Sequence, residues 1–384
     1  MYKPEGRQRL QGIVQPQNTN CSFSCGRDQL KMLTVALVGA TLKSRDHTSV
    51  HRRASICLVY PVPPHVGHGN PMRLITNTWI AALCWLVGFG HCLGEDEALA
   101  PDNIAVFRDI QYRSGNKQWR LDLAMRKDPL AKPRPVILVI HGRGWLEGDK
   151  SSFAFAKNAV PGNIVDFANL GFVAVTINYR LSGEAPFPAA LEDCKCAVRW
   201  LRAHAKDYNV DPRNIGAYGN SAGGHLAMLL GMVGKEAGLE GDGPNQDQSS
   251  AVQAVASDSG PIDLLDQHKG GQLRQVIEKF LGGPPDAVRE ALYKRASPTS
   301  QIFARTPPIL LIYGCADGQV PIQTADRFVV ALDQAGLKDV SYYRLAGVDH
   351  CPHSLVRIPY LKHVVNDFFV RTLMPRGPAD QIKR

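Results

Sequence analysis

Gly219, Ser221 and Gly223 form a Gly-x-Ser-x-Gly unit inside Asn214-Ile-Gly-Ala-Tyr-Gly-Asn-Ser-Ala-Gly-Gly224. A short apolar run leads into the unit, and a second, Leu226 to Val233, follows it. A strand that enters a helix through so sharp a turn carries the serine hydroxyl at its tip. The glycines stand where side chains would strike the neighbouring strand and helix. Backbone N–H groups at the start of that helix then point at any oxyanion formed at Ser221. The chemistry this spacing suits is nucleophilic attack by a serine on a carbonyl carbon.

A serine hydroxyl is a weak nucleophile at its own pKa, so it needs a base, and the base needs an orienting carboxylate. Asp317, in Tyr313-Gly-Cys-Ala-Asp-Gly-Gln-Val-Pro321, and His350, in Gly347-Val-Asp-His350, each follow an apolar run that reads as a strand. The order Ser221, Asp317, His350 suits a parallel sheet whose working groups gather at the carboxyl ends of its strands. Asp317 also suits a plain Ala-Asp-Gly turn. His353, and Asp349 beside it, compete with His350, which is preferred because it lies directly on the turn after its strand.

Two backbone N–H groups are expected to hold the oxyanion. One belongs to Ala222 and the other to Gly142 or Arg143, in the loop His141-Gly-Arg-Gly144. His141 itself suits a structural role in that loop. Trp145, Asn220 and Pro261 flank these turns as candidate pocket residues, although Trp145 suits packing better than substrate stacking.

The elements that must position these groups are legible from periodicity. Residues 104–112 and 118–125 alternate like an antiparallel entry hairpin around a turn at 114–116. Residues 135–140 read as a strand buried on both faces, 171–178, 252–257, 308–313 and 340–345 read as further strands, and helical patterns occupy 163–170, 188–205, 323–335 and 354–373. Strands alternating with helices of this length imply an α/β fold with a mainly parallel central sheet covered by helices on both faces. The polar, helical stretch 263–305, broken at Gly282-Gly-Pro-Pro285, sits where a small cap insertion would.

The 384-residue chain has a formal net charge of +9, with 44% hydrophobic and 21% charged residues. Nine of the basic residues and only Glu5, Asp28 and Asp46 fall in residues 1–72, so the remainder is close to balanced and gives no case for nucleic-acid binding. No Cys/His spacing in the main region suits a metal, and the chemistry above needs no cofactor.

Residues 1–71 do not read as a folded domain. Met72-Arg73 then leads into an apolar run, Trp79 to Gly90, followed by small residues. That is the layout of a secretory signal peptide, and it is too short for a comfortable membrane span. The expectation is that translation starts at Met72 and that 72–100 directs a secreted or periplasmic domain spanning 101–384. An internal membrane anchor or a buried core helix is the alternative.

Residues 103–373 resemble the α/β-hydrolase superfamily, in its esterase/lipase branch with the BD-FAE and acetyl-xylan-esterase-like enzymes. The matching pieces are Val139-Ile-His-Gly-Arg-Gly-Trp145, Gly148-Asp-Lys150, Asn178-Tyr-Arg-Leu-Ser182, Pro188-Ala-Ala-Leu-Glu-Asp193, Gly219-Asn-Ser-Ala-Gly-Gly224, Ser259-Gly-Pro261, Asp317-Gly-Gln-Val-Pro321 and Gly347-Val-Asp-His350. The resemblance implies a serine carboxylic-ester hydrolase with Ser221, Asp317 and His350 as its triad. Its substrates would be small-molecule or polysaccharide-linked esters. An arylformamidase or a serine peptidase of the same fold is the alternative, and a non-catalytic interaction protein is a third reading that the intact triad opposes.

One residue departs from the family pattern. Arg143 stands where the oxyanion loop usually has glycine, and its guanidinium either lines the pocket, favouring acidic substrates, or points to solvent. Cys315 and Cys351 lie beside Asp317 and His350, which must touch, so a disulfide bracing the two loops is expected if the domain is exported. Cys194 and Cys196 read as buried apolar positions.

Overall fold

The computed structural model describes residues 35–38, 55–59, 101–128, 132–154, 163–303, 305–351, 358 and 360–374. The signal-like stretch 72–100 and His353 lie outside them.

The central run Arg134–Ile140 (β5) is buried along its whole length. Its side chains alternate between the two faces of the sheet. Val136, Leu138 and Ile140 join one apolar cluster, while Ile137 and Val139 join the other. A strand without a polar face must have helices on both sides, and burying each such side chain contributes about 1.5–3 kcal/mol.

On one face pack helices α3 (Ala189–Ala203), α4 (Ala222–Met232) and α8 (Ile322–Gln334), through residues such as Leu191, Leu226 and Phe328. On the other pack α2 (Ile164–Asn169) and α9 (Tyr360–Leu373), through Phe167, Leu361 and Phe369. A short helix, α1 (Ser151–Ala154), precedes α2. Asn163 caps α2 by accepting from the Val165 N–H at 2.8 Å.

The sheet begins at one edge with β3 (Ile104–Gln111) and β4 (Arg120–Arg126), the expected antiparallel hairpin. β4 is antiparallel to β6 (Val173–Ile177). From there β6, β5, β7 (Val210–Asn220), β8 (Ala254–Asp258), β9 (Ile309–Gly314) and β10 (Val340–Ala346) run parallel in that spatial order. The chain therefore reverses its winding direction at β5, and β7 lies centrally. Two short strands from the first 71 residues, β1 (Val35–Val38) and β2 (Ser55–Val59), extend the far edge, with β2 parallel to β10.

The 263–305 insertion forms α5 (Leu264–Gly270), α6 (Arg274–Leu281) and α7 (Arg289–Arg295). Gly282, with φ 76°, ends α6 in the left-handed region, which a Cβ would disfavour.

Two buried histidines bear on stability. Burial lowers His141 to about 4, and the same cause lowers His225 to about 4. The His225 Nε2–H donates to the Ala296 carbonyl at 2.7 Å, which fixes the neutral tautomer. Folded pKa values below the unfolded ~6.5 mean that the unfolded chain binds more protons between these limits. Stability therefore falls as pH drops from about 6.5 towards 4, by on the order of 3 kcal/mol per histidine. Urea midpoints measured from pH 7 to pH 4.5 are expected to fall steadily; a flat profile would contradict neutral burial.

Candidate active site

Ser221 sits between β7 and α4 with φ 49° and ψ −124°, a strained conformation for a non-glycine residue, costing about 1–3 kcal/mol. Its N–H donates to the Asp258 carbonyl at 2.7 Å, and its carbonyl accepts from the His225 N–H at 3.0 Å. These bonds tie the turn to β8 and to the helix it starts. The flanking glycines are required by contact. A Cβ on Gly219 would lie 2.3 Å from the Gly223 carbonyl, and one on Gly223 would lie 2.0 Å from the Ile140 carbonyl oxygen. Gly223→Ala is thus expected to displace the elbow from β5. The measurement is thermal unfolding together with ester turnover, and wild-type values for both would contradict the packing.

The structure brings Ser221, His350 and Asp317 together. His350 Nε2 lies 2.9 Å from Ser221 Oγ, and His350 Nδ1 lies 2.8 Å from Asp317 Oδ2. The other carboxylate oxygen, Oδ1, accepts from the Gln319 and Val320 N–H groups, each at 2.8 Å. Asp317 is 6% exposed, so its oxygens find their partners in these donors and the imidazole rather than in water.

Three further residues position the base, and the motif reading assigned them no role. A Cβ on Gly314, at the end of β9, would lie 2.2 Å from the Val348 carbonyl oxygen, so the acid loop can rest directly on the base loop. The Asp349 carboxylate accepts from the His350 N–H at 2.7 Å. Ser259 Oγ accepts from the Cys351 N–H at 3.1 Å. The signal for Gly314 was present in the sequence, as a glycine at a strand end just before the acid.

The loop after β5 lies against the elbow: a Cβ on Gly142 would meet the Asn220 carbonyl oxygen at 2.7 Å. Tyr179 Oη donates to the His141 carbonyl at 2.9 Å and its ring stacks on the His141 imidazole, centroids 4.4 Å apart. His141 is buried within the loop, and Gly148, at φ 115°, leaves space for its ring. Among the described residues, none accepts a hydrogen bond from the Gly142 or Arg143 N–H. Ala222, the residue after Ser221, opens α4.

The pocket assignments need correction. Trp145 is 1% exposed. Residues 143–145 all have positive φ, from 58° to 67°, and this turn folds the indole inward. There it stacks on Phe280 of α6 at 4.2 Å and meets His225 edge-on at 5.0 Å. Trp145 thus fastens the cap to the oxyanion loop and presents no face to a substrate. Pro261 is likewise buried, and only Asn220 is half-exposed. Asn220 Nδ2 faces Cys351 Sγ at 3.9 Å.

The disulfide is also corrected. Cys315 and Cys351 are both thiols. Cys351 has φ 53°, its Sγ lies 3.9 Å from Asn220 Nδ2, and burial raises its thiol pKa.

Arg143 has φ 67°, and its guanidinium ion-pairs with Glu147 at 2.8 Å, with the side chain 65% exposed. It points to solvent. Arg143→Gly relieves the left-handed backbone and is expected to raise stability by up to about 1 kcal/mol. The exposed ion pair is worth little. The ratio of rates on acidic and neutral esters should stay unchanged, as read by denaturant midpoint and paired substrates; a shifted ratio would return Arg143 to the pocket.

Among the described residues there is no cluster suited to a metal ion and no helix long and apolar enough to cross a membrane.

A family model described as BD-FAE matches residues 121–332, more than half of the chain. Esterase LipQ of Mycobacterium tuberculosis is 32% identical over 265 residues, covering 68% of this chain and 61% of LipQ. The chain thus spans less than two thirds of that relative's length. A solved truncated carbohydrate esterase from gut microbiota is similar at TM-score 0.61 and 26% identity, over 71% of this chain and 97% of that one. Thermogutta terrifontis esterase 2 phosphonylated by sarin is similar at TM-score 0.59 and 26% identity, over 72% and 98%. The parallel sheet with its strand-to-helix turn at Ser221 is the α/β-hydrolase fold, and the chain belongs to the BD-FAE family.

Proposed function

We propose that the protein is a serine carboxylic-ester hydrolase working through an acyl-enzyme on Ser221. The observation that carries this is the continuous hydrogen-bonded line from Ser221 Oγ through His350 to Asp317, with distances of 2.9 and 2.8 Å. His350 Nε2 takes the hydroxyl proton as Oγ bonds to the ester carbonyl carbon. Asp317 holds the Nδ1–H tautomer and stabilises the imidazolium. The oxyanion rests on the N–H groups of Ala222 and of Gly142 or Arg143, each such donor being worth about 3 kcal/mol. His350 then hands its proton to the departing alcohol. Water, deprotonated by His350, attacks the acyl-enzyme, and collapse releases the acid and frees Ser221.

The similarity to an esterase that sarin phosphonylates supports a reactive serine. The similarity to a carbohydrate esterase supports esters borne on sugars as well as small-molecule esters. The layout of residues 72–100 supports export, with the hydrolase domain released as a secreted or periplasmic protein. The test is a panel of acetyl, butyryl and feruloyl esters and acetylated xylan, followed by acid release. Turnover of at least one ester is expected; none, from folded protein, would sink the reading. Amino-terminal sequencing of the exported protein would locate the cleavage.

A further inference from the structure

Three parts of the site converge on one buried ring. His225 lies in the first turn of α4 and is fully buried. Its backbone N–H donates to the Ser221 carbonyl at 3.0 Å. Its Nε2–H donates at 2.7 Å to the carbonyl of Ala296, which follows the cap helix α7. The imidazole meets Trp145 edge-on at 5.0 Å and Phe280 of the cap helix α6 edge-on at 5.6 Å. One residue therefore touches the nucleophile's turn, the loop expected to give the second oxyanion donor, and the cap.

That loop has to be held from outside. Arg143 and Trp145 are non-glycine residues at positive φ, a conformation that persists only where its surroundings enforce it. Ser182 donates to the Trp145 carbonyl through its N–H at 2.8 Å and its Oγ at 3.1 Å. Val276 of α6 packs on Gly144, where a Cβ would meet it at 2.9 Å. The Trp145 ring stacks on Phe280. Within this packing, Trp145 Nε1 and His225 Nδ1 are both buried, and neither has a hydrogen-bond partner among the described residues. With the ring proton on Nε2, Nδ1 can only accept, and the indole N–H can only donate. An unmatched donor and an unmatched acceptor on neighbouring rings are each costly alone, and a small closing movement would join them. Active-site hydrogen bonds commonly tighten in this way as the reacting complex forms.

We propose that His225 is a positioning residue for the oxyanion hole. Its Nδ1 accepts the Trp145 indole N–H as the tetrahedral intermediate forms, and this holds the Gly142–Arg143 N–H groups over Ser221. His225 touches no reacting atom; it acts through Trp145, with its other nitrogen anchored on the cap. The inference rests on the hydrolase reading. A displaced oxyanion donor costs the transition state more than bound substrate, so the effect belongs to kcat rather than KM.

The test compares His225→Leu with His225→Gln on the full chain, using p-nitrophenyl acetate, with active sites counted by fluorophosphonate labelling. In His225→Leu, kcat per labelled site is expected to fall about tenfold or more while KM holds. The Ki of a trifluoromethyl ketone, which adds to Ser221 Oγ and places an oxyanion in the same hole, should rise in proportion to the loss of kcat/KM. His225→Gln should restore most of both, because its carboxamide carries a donor and an acceptor across one carbon, as Nε2–H and Nδ1 do. A merely structural histidine would lower the urea midpoint and the labelled fraction and leave kcat per site and Ki unchanged. Trp145→Phe, which removes the indole N–H and keeps an aromatic ring against Phe280, gives the same reading if His225→Leu does not fold. An unchanged kcat per site in the folded variant overturns the proposal, as does a His225→Gln chain as impaired as His225→Leu. Turnover and labelling of the wild-type chain keep that failure distinct from failure of the hydrolase reading.

Discussion

Ser221→Ala is expected to lower kcat on any ester substrate by about 10⁶-fold, with the fold retained. The side chain removed is the only atom that bonds to the acyl carbon, so no covalent intermediate can form. The elbow itself depends on backbone bonds, from the Ser221 N–H to the Asp258 carbonyl and from the His225 N–H to the Ser221 carbonyl, and alanine keeps both. The Oγ hydroxyl reaches His350 Nε2 and takes no part in those backbone bonds. Stability should therefore change by no more than about 1 kcal/mol. Residual turnover would come from water attacking a carbonyl polarised by the oxyanion-hole N–H groups, on the order of 10³–10⁴ over the uncatalysed rate. Single-turnover kinetics and a urea melt separate the two quantities. A kcat loss below tenfold would place the nucleophile elsewhere.

Asp317→Asn is expected to cost about 10⁴ in kcat, and the geometry states why. Oδ1 accepts from the Gln319 and Val320 N–H groups, so an asparagine must keep its carbonyl oxygen there. Its NH₂ then occupies the Oδ2 position, 2.8 Å from His350 Nδ1. An amide donor facing Nδ1 needs a lone pair on that nitrogen, which moves the imidazole proton to Nε2. Nε2–H then points at Ser221 Oγ and cannot accept its proton. The acyl-enzyme step slows while substrate binding is preserved, so KM should move little. A kcat within tenfold of wild type would mean that Asp317 does not orient the base.

Much of this site could be read before the fold was known, and the reason is local. Ser221, Asp317 and His350 each stand at the end of an apolar run, where strand and turn signals are strong and the side chain has one place to go. The continuous run 135–140 announced a strand buried on both faces, and the alternation of its residues between two clusters follows from the pleat. Trp145 was harder, because its inward turn depends on three successive positive φ values, two of them at non-glycine residues. Arg143 and Trp145 carry no sequence mark of that conformation. The turn is stabilised by Phe280, more than a hundred residues away, which no local pattern connects to it.

The Cys315–Cys351 bridge failed for a related reason. Proximity of the two loops was correctly inferred, but a disulfide also requires side chains that point at each other. The Cys351 sulfur lies beside the Asn220 amide instead. Gly314, Ser259 and Asp349 were legible only as members of motifs. Their positioning roles emerge when the acid and base loops are stacked, with Ala316 donating to the Val348 carbonyl at 2.9 Å.

The most direct test of the central claim is covalent capture. A fluorophosphonate added to the folded wild-type chain should give one stoichiometric adduct, mapped to Ser221 in the tryptic peptide 214–235, and Ser221→Ala should give none. Absence of an adduct on well-folded protein, or an adduct that persists in Ser221→Ala, would contradict a triad centred on Ser221.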